Sequence, residues 1–512
     1  MKKSPHISLV QPSGLTQRPI SRHLPRRNLG DNFEKSHAIS LRLFAHNPTI
    51  DYNKLEIRMQ NYIIFGLGSE GLSSYHFLKN QNPEALFILV DDKPSDQLSA
   101  DWQKVIAENQ GKFLQSSQLE SDSILPDSIL VKTPGIPPNH PALISGPLGN
   151  LRRTNNAQLF FEYLELNLPG VIAIGVTGTK GKTTTTALIY RILHEAGLPS
   201  VLGGNIGTPA LTLIPELEKL IQDNTSPIAV IELSSHQLVD MSVSPNIAVL
   251  LNITPEHLDH FPTLEAYMAS KGAITAFQEQ SDHVIYNPGY ESLQKLIYQT
   301  PAERHHFGKN DSQAETLEAS LHDNALWYRN EKIIETANIP LVGEHQWLNA
   351  LPSIIVGKHF GVSYQDIGKA ISSFKSLPHR LEYIGKKEGI KYYNDSQATT
   401  PEAGIAALRS FPKKSVILIA GGHDKGVDLS EYIAEIKKRG VKAVALFPPT
   451  GETIGAELGE IPHRLVTSMA DAVAFCRQYA KIGDTILLSP ACASFGIFKN
   501  YQERGEMFRG EV

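Results

Sequence analysis

Val171-Ile172-Ala173-Ile174-Gly175-Val176-Thr177-Gly178-Thr179-Lys180-Gly181-Lys182-Thr183-Thr184 runs from an apolar strand pattern, through a glycine loop, into a helical pattern beginning near Lys182. A strand from Val171 to Val176 followed by this loop reads as a phosphate cradle. Glycines let backbone N–H groups converge on phosphate oxygens, and the helix N-terminus adds positive potential. Gly178, Thr179, Lys180, Gly181, Lys182, Thr183 and Thr184 are the expected lining. Lys182 neutralises charge that moves during transfer, and the Thr183 hydroxyl is placed to ligate Mg²⁺. The usual phosphate-loop spacing wants glycine at position 176, where this chain has Val176, so the match is to a shorter variant loop.

Downstream, the strand pattern from Ile228 to Ile231 ends in Glu232-Leu233-Ser234-Ser235-His236-Gln237. Ligands of open α/β sheets bind beyond the carboxyl ends of strands, so Glu232 is a candidate carboxylate for the Mg²⁺ of a bound nucleotide. A further strand from Ile247 to Asn252 leads into Ile253-Thr254-Pro255-Glu256-His257, which offers His257 as a metal or phosphate contact. An isolated histidine in a polar turn is ordinarily solvated, but its place after successive strands favours function. Lys271, by residue pattern alone, reads as a solvated helix lysine. From about 377, strands at Ser415–Ala420, Ala443–Phe447 and Thr485–Leu488 alternate with helical stretches.

Upstream, Tyr62-Ile63-Ile64-Phe65 precedes Gly66-Leu67-Gly68-Ser69-Glu70-Gly71, and a strand from Ala85 to Val90 ends in Asp91-Asp92. The glycine spacing, with an acid roughly 20 residues on, is formally a dinucleotide fingerprint. Alone it is weak, and it serves equally for the diphosphate of another ligand. Glu70 repels phosphate unless its side chain turns to solvent. A strand from Ser128 to Lys132 follows. Alternating strands and helices throughout give an α/β fold of three regions in series: a Rossmann-like one at 59–160, a central parallel-sheet one at 161–376, and a Rossmann-like one at 377–512. Residues 1–58, rich in basic and polar residues without period, are expected to be disordered. Met59 reads as the true start and the extension as a translation-start artefact.

The 512-residue chain has a net charge of −5, which gives no global field for nucleic acid or an anionic membrane. Two cysteines, Cys476 and Cys492, build no disulfide framework and suit a reducing compartment. No apolar run approaches the ~20 residues that span a bilayer, and the N-terminus lacks a secretory pattern. A cytoplasmic protein is expected.

Taken together, GLGSEGLSS, KTPGI, GVTGTKGKTTTT, GGNIGTPAL, IELSSHQL, NITPEHLDH, GEHQWLNA, LPHRLE, NDSQATTPEA, GGHDKGVD and SPACASFGIFKNYQERGEMF resemble, in order, the Mur ligases of peptidoglycan precursor synthesis. The likeness runs from about Asn61 to the C-terminus and is strongest to members that add glutamate to UDP-N-acetylmuramoyl-L-alanine. It implies a monomeric, ATP-dependent ligase of cell-wall building, with successive domains for the UDP substrate, ATP and the amino acid, and two Mg²⁺ ions. Lys182 and Thr183 would hold ATP phosphates and one Mg²⁺ together with Glu232. His257 and Lys271 would serve the second Mg²⁺, Lys271 as an N-carbamate. Gly68, Ser69, Glu70, Asp92 and Lys93 would face the UDP substrate, with Asn205 and Ser234 on its muramoyl-peptide side. Asn349, Arg380 and Asp395 match adenine, phosphate and ribose contacts. Thr399, Lys425, Ser494 and Tyr501 fall where the family binds glutamate, where the lysine of NDSKAT is replaced by Gln397. The amine needs a base, and His257 is a candidate either for that or as a ligand only.

The segment Asn394–Pro401 shares features with D-glutamate-adding and L-glutamate-adding variants of the family. Folylpolyglutamate synthase shares the nucleotide-binding region but not the glycine-loop region ahead of it. A dehydrogenase using Gly66–Gly71 predicts nicotinamide binding without ATP hydrolysis. A pure binding module has no need of Lys182, Glu232, His257 and Asp395 together.

Overall fold

Three apolar strand sets, each at a helix-strand alternation in the sequence, form three sheets in the computed structural model. The structure describes residues 60–108, 112–125, 127–254, 260–261, 263–310, 317–376, 378–424 and 426–512. The expected N-terminal extension lies outside the described residues.

In the first sheet, β1 (Tyr62–Phe65), β2 (Phe87–Asp91), β3 (Phe113–Gln115), β4 (Ile129–Lys132) and β5 (Arg152–Thr154) are ordered β3-β2-β1-β4-β5 and pair in parallel. The order reverses between β1 and β4, which opens a crevice beyond their carboxyl ends. Gly66 enters this crevice with φ +95°, and a Cβ there would fall on Thr133 Oγ1. Only glycine allows the loops after β1 and β4 to approach so closely.

The central sheet contains β6 (Ile172–Thr177), β7 (Ser200–Gly204), β8 (Ile228–Glu232), β9 (Ile247–Leu250), β10 (His283–Tyr286), β11 (Glu303–Lys309), β12 (Ala319–His322), β13 (Ala325–Tyr328) and β14 (Glu331–Glu335). Their order is β14-β13-β12-β11-β10-β9-β6-β8-β7. β6 stands between β8 and β9, so the loop after β6 opens at the sheet's switch point. The sheet is not wholly parallel as the sequence pattern suggested: β12, β13 and β14 pair antiparallel. Asp323 and Asn324, at φ +48° and +54°, make the two-residue turn joining β12 to β13, and turns of this hand match strand twist.

Both faces of the central sheet are covered. Ala173, Ala229, Ile231 and Ala248 belong to one apolar cluster, and Ile174, Val176, Val230 and Val249 to the other. The second cluster also contains Leu188 and Ile192 of the helix Lys182–Glu195 and Ala350 and Ile354 of the helix Glu344–His359. Val176 is fully buried. The residue that breaks the usual loop spacing is thus a core strand residue, and its burial stabilises the fold by about 1.5–3 kcal/mol.

The third sheet, β15 (Glu382–Lys387), β16 (Ile390–Asn394), β17 (Val416–Gly421), β18 (Val444–Phe447), β19 (His463–Leu465) and β20 (Thr485–Leu488), has the order β15-β16-β20-β17-β18-β19. Only β15 is antiparallel to its neighbour. The loops after β16, β17 and β20 therefore leave the same edge. No helix among the described residues is long and apolar enough to cross a membrane.

Candidate functional site

The loop after β6 is fixed from its flanks. Thr179 N donates to the Asn252 carbonyl at 2.9 Å, Lys180 N donates to Asn252 Oδ1 at 2.9 Å, and Asn252 Nδ2 returns a bond to the Lys180 carbonyl at 2.9 Å. Thr179 Oγ1 lies 3.0 Å from Tyr267 OH and accepts from Thr254 N at 3.0 Å. Gly181 ends the loop in a left-handed conformation, φ +90°, and a Cβ on it would collide with the Asn349 side chain. The helix that follows, Lys182–Glu195, has no side-chain N-cap. A helix N-terminus of this kind, following a glycine loop, presents positive potential to an anion such as phosphate. Lys182 Nζ donates to the carbonyls of Gly178 and Thr179 at 3.0 and 3.1 Å. Lys271, 1% exposed, also donates to the Gly178 carbonyl, at 3.0 Å. A helix lysine that looked solvated by pattern is thus buried against the loop.

Thr183 and Thr184 open the same helix. Glu232 closes β8 beside it and is 2% exposed. Its Oε1 accepts from Asn205 Nδ2 at 2.8 Å, while Oε2 is buried with no hydrogen-bond partner among the described residues. An ionised oxygen left so is costly unless a cation completes it. This fits a divalent ion, and Thr183, in the first turn of the adjacent helix, carries a hydroxyl of the chemistry such an ion takes.

Ser234 begins a short helical turn, and Gln237 closes a capping box with it: Ser234 N donates to Gln237 Oε1 at 2.8 Å. The other end of the same amide, Gln237 Nε2, donates to Glu70 Oε1 at 2.7 Å. This ties the loop after β8 to the glycine loop after β1. Glu70 therefore does not turn to solvent. It is drawn inward, and burial pushes its carboxyl up to about 7 against the opposing pull of Gln237 and Lys132. A carboxyl raised this far is partly protonated near pH 7 and repels phosphate less than an ordinary carboxylate does. Lys132 in turn pairs with Asp240 at 3.0 Å, a second tie between these regions.

Gly68 caps the helix Ser69–Gln81 and its carbonyl accepts from Trp102 Nε1 at 3.1 Å. Of the two acids after β2, Asp91 braces the loops, accepting from Leu67 N at 2.6 Å and Lys93 N at 3.0 Å. Asp92 accepts from Ser116 Oγ and lies 3.3 Å from His140 Nε2. Lys93 is exposed.

In the third region, Asp395 is buried after β16. Leu381 N donates to its Oδ1 at 3.1 Å and Ser489 Oγ to its Oδ2 at 2.9 Å. Burial pushes its carboxyl up to about 7, with those hydrogen bonds and the charges of Arg380 and Arg504 opposing. Each carboxylate oxygen keeps a further lone-pair site for a ligand hydroxyl. Thr399, Ser494 and Tyr501 come together lining a pocket of about 320 Å³, with Ala493, Phe495, Asn500 and Gln502. Gln397 is placed by its backbone, its N–H donating to the His379 carbonyl at 3.1 Å. His257 and Lys425 lie outside the described residues.

Sequence reasoning missed Arg504. It is fully buried, donating from Nε to Ser396 Oγ at 3.0 Å, from Nη2 to the Ser396 carbonyl at 2.7 Å and from Nη1 to the Cys492 carbonyl at 3.1 Å. It thereby locks the loops after β16 and β20, which carry Thr399 and Ser494, to the helix Tyr501–Gly510. The sequence holds no signal separating this arginine from a solvated helix residue. Gln237 was also missed, although the Ser234-x-x-Gln237 spacing is a readable capping box.

A mixed α/β chain with a phosphate loop at a sheet switch point, and a carboxylate with one unpaired oxygen beside it, defines a nucleotide-dependent enzyme. The family described as Mur ligase middle domain matches residues 176–357, and that described as Mur ligase, glutamate ligase domain, matches 379–492. A UDP-N-acetylmuramoylalanine--D-glutamate ligase of Koribacter versatilis is 32% identical over 461 residues, 89% of this chain and 97% of that one. One of Geobacillus is 35% identical over 391 residues, 76% of this chain and 83% of that one. The crystal structure of MurF ligase from Thermotoga maritima in complex with ADP shares the fold, with a TM-score of 0.54, 19% identity, and coverage of 87% of this chain and 97% of that one. The chain belongs to the Mur ligase family and is an ATP-dependent ligase that forms a C–N bond.

Proposed function

We propose that the protein adds D-glutamate to UDP-N-acetylmuramoyl-L-alanine, with ATP converted to ADP and phosphate. The observation that carries this reading is the set of relatives of that activity aligned along 76–90% of the chain, together with a pocket that gathers Thr399, Ser494 and Tyr501. Region 59–160 is assigned to the UDP substrate, 161–376 to ATP and 377–512 to the amino acid. The reading includes a cytoplasmic, monomeric enzyme.

The chemistry fits the residue types. ATP's γ-phosphoryl moves to the alanyl carboxylate to give an acyl phosphate. The amine of glutamate attacks that carbonyl, and the tetrahedral intermediate collapses to amide and phosphate. Backbone N–H groups at Gly181 to Thr184 and the Lys182 ammonium hold the phosphates and counter the charge that migrates, the main requirement of phosphoryl transfer. Asn349 packs beside Gly181, which suits an adenine contact, with Arg380 and Asp395 serving phosphate and ribose. Thr183 and Glu232 would hold one Mg²⁺, and His257 with Lys271 as a carbamate a second. Such ions supply charge neutralisation on the transferring group. His257 is assigned as ligand or as the base that deprotonates the incoming amine. Gly68, Ser69, Glu70, Asp92 and Lys93 would contact the UDP moiety, and Asn205 and Ser234 the muramoyl peptide. Gln397, Thr399, Lys425, Ser494 and Tyr501 would hold glutamate.

A second reading, L-glutamate as the acceptor, rests on Gln397 standing where the family has lysine. Phosphate release measured with each glutamate enantiomer and UDP-N-acetylmuramoyl-L-alanine separates the two, and turnover with neither overturns both.

A further inference from the structure

His283 begins β10 and pairs in register with Glu303, which begins β11. His305 is two residues further along β11, on the same face as Glu303. The three lie at the amino ends of these strands, on the edge opposite the one bearing the nucleotide loop. His283 Nδ1 and His305 Nε2 stand 3.0 Å apart, and Glu303 Oε2 is 3.6 Å from His283 Nδ1. The three donor atoms lie within 4.8 Å of one another, the only such grouping of three or more His, Cys, Asp or Glu side chains among the described residues.

From this geometry we propose that His283, His305 and Glu303 form a binding site for a zinc-class divalent ion, separate from the catalytic centre. Two ligands each at the usual Zn–N distance in a tetrahedral shell stand about 3.3 Å apart, close to the observed nitrogen separation. Two imidazoles and a carboxylate are a borderline donor set that favours zinc over magnesium or calcium. The support around the donors is that of a metal site. His305 Nδ1, the nitrogen left over, lies 2.7 Å from Glu318 Oε1. This carboxylate–histidine arrangement fixes the tautomer and ring plane of a ligating imidazole. Glu318 is itself held by Tyr328 OH at 3.3 Å and Arg329 Nη2 at 3.5 Å. The side chains of His283 and His305 are 21% and 13% exposed, so they are partly shielded yet reachable, while Glu303 is 66% exposed and free to swing onto an ion. Water completes the shell. The His359 ring packs edge-on to His283, centroids 4.5 Å apart, at the end of the helix Glu344–His359 whose opening turns carry Asn349 beside the nucleotide loop. The ion would thus brace the far end of the helix that backs the loop.

The test uses the full-length protein stripped with chelator and kept in excess Mg²⁺, titrated with Zn²⁺ against a chromophoric competitor. Wild type is expected to bind one Zn²⁺ equivalent that His305→Ala does not bind. Glu318→Gln should weaken it about 10–100-fold. Substituted Co²⁺ should give the intense visible absorption of a four-coordinate ion. Glu303→Gln, a change at an exposed side chain with little bearing on folding, should also weaken Zn²⁺ binding at least tenfold, and it decides the matter if His305→Ala does not fold. Equal Zn²⁺ binding by wild type and Glu303→Gln, or no Zn²⁺ bound by wild type in Mg²⁺, would leave a hydrogen-bonded histidine pair only and overturn the proposal.

Discussion

Lys182 and Lys271 donate to one and the same acceptor, the carbonyl oxygen of Gly178, each at 3.0 Å. Lys271 reaches this shared acceptor from a site where it is 1% exposed. Converting Lys271 to a carbamate would place a negative charge near the Lys182 ammonium and supply an anionic oxygen for a metal. Lys271→Ala and Lys271→Arg, which cannot form a stable carbamate, are each expected to lower the rate of phosphate release by about 100-fold or more, the scale of losing a transition-state charge stabiliser. Wild-type activity should fall on removing bicarbonate and return on adding it. Unchanged activity in Lys271→Arg would show that the positive charge, and no carbamate, is what the site uses.

Gly181 joins the loop to its helix at φ +90°, with the Asn349 side chain where a Cβ would go. Gly181→Ala should therefore both strain the backbone and displace Asn349, costing about 1–3 kcal/mol locally. The expected outcome is ATP binding weakened by at least tenfold in calorimetry, with the fold retained by circular dichroism.

Burial holds the Asp395 carboxyl near 7, above its unfolded value of about 3.9. Since the folded pKa is raised, the stability associated with the neutral acid is fully present below about pH 4 and is lost as pH rises through 7. Asp395→Asn removes that pH dependence. Its melting temperature relative to wild type should climb between about pH 4 and 7 and level off above, while ligase activity falls. A constant difference across that range would contradict the assignment of burial as the dominant cause.

Gln237 links the loop after β8 to Glu70. Gln237→Ala leaves the Glu70 carboxyl without its donor and Ser234 N without its acceptor, at about 1–3 kcal/mol for each buried group left unpaired. Thermal unfolding should report that loss, and KM for the UDP substrate should rise more than kcat falls. Glu70→Gln, which keeps an acceptor for Gln237, should be far milder.

Much of this was legible in the sequence because it is local. Strand, glycine loop and helix succeed one another along the chain, so the nucleotide loop, Glu232 at the end of β8 and the strand cores followed from period and punctuation. The positions of the antiparallel strands β12–β14 and β15 did not, since short apolar runs carry no sign of pairing direction. Burial of Lys271 and Arg504 was likewise hidden, because a lone cation on a helix looks the same whether its partner carbonyls lie 93 residues away, as for Lys271 and Gly178, or are water. The inward turn of Glu70 was hidden for the same reason: its partner Gln237 is 167 residues distant. Val176, an oddity in the loop spacing, became intelligible once its side chain was found in the core beneath the loop.

The central claim is tested most directly by phosphate release from ATP in the presence of UDP-N-acetylmuramoyl-L-alanine, with D-glutamate or L-glutamate as acceptor, in wild type and in Lys182→Ala. The account predicts turnover with D-glutamate that greatly exceeds that with L-glutamate and disappears in the folded Lys182→Ala variant. Preference for L-glutamate would reassign the acceptor, and activity retained in Lys182→Ala would contradict the mechanism.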